Sequence, residues 1–89
     1  MIRVQRIDSV TFEVTVQGRA TTTHRVTLSA DYHYKLTAGK VSPETLISTS
    51  FEFLLQRESN TSILRTFDLP LIAHYFPQYE KTILKMLAA

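Results

Sequence analysis

Val10-Thr11-Phe12-Glu13-Val14-Thr15-Val16, then Gly18-Arg19-Ala20, then Arg25-Val26-Thr27-Leu28-Ser29-Ala30: in both flanking segments apolar and polar residues alternate. A period of two marks a strand with one face against a core and one facing water. Residues directly opposite in an antiparallel pair point to the same face, so the parity of the apolar positions restricts the turn. Both apolar sets are even-numbered. A two-residue turn at Gly18-Arg19 would set Phe12 opposite Arg25 and mix the faces. A three-residue loop, Gly18 to Ala20, instead sets Phe12 opposite Val26, Val10 opposite Leu28, Glu13 opposite Arg25 and Thr15 opposite Thr23. A longer odd-numbered loop satisfies the same parity.

Working outward from this hairpin, Ile2 and Val4 have the alternation of a further short strand, with Asp8-Ser9 as the break before Val10. Whether residues 2 to 7 pair into the sheet is open at this level. His24 shares the parity of Val26 and reads as a partly exposed residue near the open end of the hairpin. From Asp31 to Gly39 the signals conflict, since Tyr32, Tyr34 and Leu36 continue a strand alternation while Asp31 and Gly39 resemble helix ends; a short helix capped by Asp31 is preferred. Ser42-Pro43-Glu44 is a helix start, with a capping hydroxyl, a proline where no N–H is needed and an acid at the positive end. Leu46, Ile47, Phe51, Leu54 and Leu55 then recur at helical spacing, which predicts a helix to about Glu58. Phe53 lies off that stripe and widens the apolar surface. After a short segment from Ser62 to Phe67, Asp68 and Pro70 predict a helix start that Pro77 stops. Tyr79, Ile83, Leu84, Met86 and Leu87 predict a last amphipathic helix over about 77–87.

The fold class expected is therefore α+β: an N-terminal antiparallel hairpin, with a candidate third strand, packed against one long helix and shorter C-terminal helices. Eighty-nine residues, 44% of them hydrophobic and 20% charged, make one folded domain with a modest core. There is no cysteine, which excludes disulfides and Cys-based zinc sites and fits a cytoplasmic protein. No run approaches the roughly 20 apolar residues that span a bilayer, and the start lacks the apolar core of a signal peptide. The expectation is a soluble chain with no membrane association.

Net charge is +2, with six basic and three acidic groups in residues 1–40 against four and five in residues 41–89. That skew makes a basic sheet edge of Arg3, Arg6, Arg19 and Arg25 the candidate nucleic-acid contact, although Glu13 opposes Arg25 and no aromatic side chain supplies a stacking platform. His24, His33 and His74 lack the spacing of a helical metal site, and no Gly-x-Ser-x-Gly or Gly-rich phosphate loop is present. Neither a cofactor nor catalysis is expected; a pocket uniting His74, Tyr75 and Arg57 would reopen that question. Arg57 and Glu58 are a candidate structural ion pair at the end of the long helix.

Val41-Ser42-Pro43-Glu44-x-Leu46-Ile47, Ser50-Phe51-Glu52-Phe53-Leu54-Leu55-x-Arg57-Glu58, Asn60-x-Ser62-Ile63-Leu64, Phe67-Asp68-Leu69, Ile72 and Tyr75-Phe76-Pro77-x-Tyr79-Glu80 carry a resemblance. Over residues 31 to 80 the chain resembles a group of small bacterial proteins with no established activity, which implies a bacterial cytosolic protein and no transferable site residues. The function expected is a non-catalytic, self-associating interaction or regulatory module, with a homodimer favoured over an unidentified protein partner. Its candidate surface is Phe53, Tyr75, Phe76, Ile83 and Leu87, the apolar positions left over once the long helix covers the sheet. Weak nucleic-acid binding is the alternative.

Overall fold

The even-numbered apolar residues do meet across the strands. In the computed structural model, which describes residues 1–88, β1 (Ile2–Arg6), β2 (Thr11–Val16) and β3 (Thr22–Thr27) form an antiparallel meander. Phe12 is paired with Val26, Glu13 with Arg25 and Thr15 with Thr23, the register that parity demanded. The loop is longer than three residues: pairing already ends at Val16 and Thr22, so residues 17–21 form the connection. The side-chain amide of Asn60 explains the extension, since it donates to the carbonyls of Val16 (3.4 Å) and Ala20 (2.8 Å) and holds the widened loop open. Asp8 tightens the β1–β2 turn by accepting from the amides of Val10 and Thr11. Those bonds, the Val10 amide first, hold its carboxyl below the ordinary value.

A fourth strand, β4 (Thr66–Asp68), adds to β3 in parallel and completes the order β1-β2-β3-β4. Asp68 therefore ends a strand and does not cap a helix; its carboxylate bonds the Thr27 hydroxyl. Between β3 and β4 run α1 (Ala30–Thr37), α2 (Pro43–Leu55) and a 3-10 turn at Asn60–Ser62. α3 (Leu71–Tyr75) and α4 (Tyr79–Ala88) follow. The ambiguous segment is helical, but Ser29 and not Asp31 caps it, accepting from the Tyr32 amide at 3.1 Å. It ends on two left-handed residues, Ala38 at φ 56° and Gly39 at φ 72°. Ser42 caps α2 through the Thr45 amide, as its sequence requires. α2 stops at Leu55, three residues short of Glu58, where the Arg57 amide tightens onto the Leu54 carbonyl three residues back.

The helices cover one face of the sheet. Phe12, Val14, Val16 and Val26 bury against Leu46, Ile47, Phe51 and Leu54 in one continuous core. The opposite face carries Arg3, Gln5, Glu13, Thr15, Thr23 and Arg25 and remains solvated. No buried side-chain nitrogen or oxygen among the described residues lacks a hydrogen-bond partner. That matters because a stranded buried polar group costs about 1–3 kcal/mol.

Candidate functional site

Phe53 and Ile83 belong to the interior. Both are fully buried, and the ring of Phe53 meets those of Tyr79 at 5.3 Å and Phe76 at 5.8 Å. The off-stripe position that suggested a free surface is thus satisfied within the chain, by α4 and the residue following α3. This removes Phe53 and Ile83 from the candidate surface. Leu87 packs partly against the same core, Phe76 is half-buried and Tyr75 is 63% exposed.

Arg57 and Glu58 are not an ion pair. Arg57 donates to the Phe53 carbonyl at 2.9 Å and lays its guanidinium over the Phe53 ring at 3.7 Å. There it caps the helix C-terminus and covers an aromatic edge. This leaves Glu58 half-buried and without a cation; the ion pair among the described residues is Arg25 with Glu13, at 3.9 Å.

Glu58 borders a groove of about 330 Å³. Leu54 and Glu58 come from the end of α2, Ile63 and Leu64 from the segment after the 3-10 turn, Phe67 from β4, and Leu71, Ile72, Tyr75 and Phe76 from α3 and the residue after it. Leu64 is 49% exposed, so with Tyr75 it gives the groove an apolar lip. His74 and Arg57 do not line it, and His74 instead meets the Tyr75 ring edge-on at 5.5 Å. Of His74, Tyr75 and Arg57, only Tyr75 lines the groove.

A buried polar chain that sequence reading missed holds the groove in place. His24 is 1% exposed; its Nδ1 lies 2.7 Å from the Leu64 carbonyl and its Nε2 2.9 Å from the Thr22 hydroxyl. A carbonyl only accepts, so Nδ1 carries the proton. Thr22 receives the Asn60 amide at 3.0 Å and can turn its own proton to Nε2. Residues 60–64 are fastened in this way to the hairpin. A second pair fastens α4 to α2: Ser50 Oγ donates to the Leu46 carbonyl at 2.7 Å, so at the 2.6 Å contact with Tyr79 the phenol is the donor. Burial pushes the Tyr79 phenol up to about 12. Burial and the bond to Glu80, 2.6 Å away, raise Tyr32 further.

The four arginines are dispersed. Arg3 and Arg25 project from the solvated sheet face, where Arg25 is paired with Glu13. Arg6 lies on the other face with its guanidinium 5.1 Å from the Phe12 ring, and Arg19 is in the 17–21 loop. No group of three or more His, Asp or Glu side chains converges among the described residues, and no described helix is long and apolar enough to cross a membrane. Comparison with protein-family models, with curated proteins and with solved structures finds no match.

Proposed function

We propose that the protein is a non-catalytic interaction module that works by self-association. The observation that carries this reading is the apolar groove at the β4 end of the fold, with Leu64 and Tyr75 exposed at its lip. Exposed apolar surface of this kind, rimmed by polar groups, marks protein contact sites. One of its walls, residues 60–64, is tied to the hairpin by the His24–Thr22–Asn60 chain, which limits the freedom that wall loses when the groove is covered. Nucleic-acid binding, the alternative, draws less support because its arginines fall on two faces and a loop.

Multi-angle light scattering on a dilution series tests the proposal. The mass is expected to exceed that of one chain at high concentration and to fall towards it on dilution. A single-chain mass throughout, into the millimolar range, contradicts it.

A further inference from the structure

Both edges of the sheet are open, and on the solvated face β1 carries Arg3 where β4 carries Asp68. Ladder bonds from the Gln17 amide to the Met1 carbonyl and from the Ile7 amide to the Thr11 carbonyl, each 2.8 Å, show that odd residues of β1 bond to β2. Ile2, Val4 and Arg6 therefore direct their backbone N–H and C=O groups away from the sheet. At the other edge the Arg25 amide bonds the Arg65 carbonyl (2.6 Å) and the Leu69 amide the Thr27 carbonyl (2.9 Å). Thr66 and Asp68 are consequently the residues of β4 whose backbone groups point outward. Such unpaired edges template the addition of another strand.

We infer that the β4 edge and its groove receive β1 of a second copy, so that one sheet continues into the next. This rests on the self-association proposed above and specifies its geometry. β1 runs parallel to β3 and hence to β4, so a neighbour in the same orientation pairs in parallel and keeps its helices on the same side. Parity then permits Asp68 to lie beside Arg3 on the solvated face, with Ile2 beside Phe67 on the helix face next to the groove. The bonds formed are Ile2 N–H to Thr66 C=O, Asp68 N–H to Ile2 C=O and Val4 N–H to Asp68 C=O. Charge selects this pairing over its rivals. Two β1 edges would bring the arginines of β1 together, whereas at β4 the charge on the solvated face is the Asp68 carboxylate, which Arg3 complements. Unlike edges attract. Because the two surfaces differ, the contact does not close on itself, and the dimer is the first member of a series.

Sedimentation velocity over a range of concentrations on the wild type, Arg3→Asp, Asp68→Arg and Val4→Pro tests the inference, with circular dichroism to verify folding. Proline at position 4 removes an outward N–H and leaves the β2 ladder intact. Each single variant is expected to associate about tenfold more weakly than wild type, as like charges face one another or a bond is lost. An equimolar mixture of Arg3→Asp with Asp68→Arg is expected to recover association, because each chain then offers the complement of the other. If the wild type associates and all three variants associate equally well, the edge pairing is overturned while self-association stands. If the wild type is monomeric throughout, both are overturned. Loss of association in Asp68→Arg without recovery in the mixture also counts against the pairing, since Arg3→Asp keeps an intact β4.

Discussion

Tyr79 and Ser50, both fully buried, offer a direct test of how α4 is fastened to α2. The hydrogen-bond directions make the two deletions unequal. In Tyr79→Phe the Ser50 hydroxyl still donates to Leu46, and what is lost is one bond with a net value of about 0.5–1.5 kcal/mol. In Ser50→Ala the phenol keeps its proton and has no acceptor in an apolar surrounding, a cost of about 1–3 kcal/mol. Better helix propensity of alanine returns roughly 0.5 kcal/mol of that. The double variant removes both partners and is expected to cost less than the sum of the singles, with a coupling of about 1 kcal/mol. Urea unfolding followed by circular dichroism measures all three. Strict additivity refutes the coupling, and a costlier Tyr79→Phe refutes the assigned donor. Burial of the Tyr79 phenol also sets an alkaline limit. The folded phenol ionises near 12 and an unfolded one near 10.0, so the unfolded chain releases this proton first. The resulting stabilisation is complete below pH 10 and is lost as pH rises from about 10 to 12, by roughly 2–3 kcal/mol. In Tyr79→Phe that part of the alkaline slope disappears.

Phe53→Ala is expected to destabilise the fold by about 3–5 kcal/mol, as for a fully enclosed aromatic, whereas Tyr75→Ser stays within about 0.5 kcal/mol of wild type and weakens association; thermal melts and light scattering separate the two effects. Asn60→Ala removes the donor that spans Val16, Ala20 and Thr22 and is expected to cost about 1–3 kcal/mol, with faster amide exchange in residues 17–21. Ala38→Gly relieves a left-handed backbone at φ 56° and is expected to stabilise by about 1 kcal/mol, visible as a raised melting temperature.

The parts of the fold legible in the sequence are those governed by local periodicity. The parity of Phe12, Val14, Val26 and Leu28 determined the hairpin register, and Ser42-Pro43 located the start of α2, because neighbouring residues alone decide these features. β4 was not legible. It has three residues, one of them apolar, and it pairs in parallel with a strand about 40 residues earlier, so no alternation could develop. His24 was placed on the correct face but given too much solvent, since the carbonyl that satisfies its Nδ1 belongs to Leu64. Of the candidate surface residues, Tyr75 is exposed, whereas Phe53 and Ile83 are buried. Helical spacing shows how wide an apolar face is; it does not show whether solvent or another helix of the same chain covers it. Arg57 and Glu58 failed for a related reason, because the Phe53 ring and carbonyl outcompete a neighbouring carboxylate for the guanidinium.

Amide hydrogen exchange, read residue by residue by NMR in dilute and concentrated samples, tests self-association through the sheet edges most directly. The amides of Ile2, Val4 and Asp68 point outward from unpaired edges in the single chain and acquire partners when β1 meets β4. They are expected to exchange rapidly in dilute solution and to become protected as concentration rises, while the buried ladder between β2 and β3 is unchanged. Equal exchange of these three amides at both concentrations contradicts the edge pairing, and does so whatever mass the protein shows.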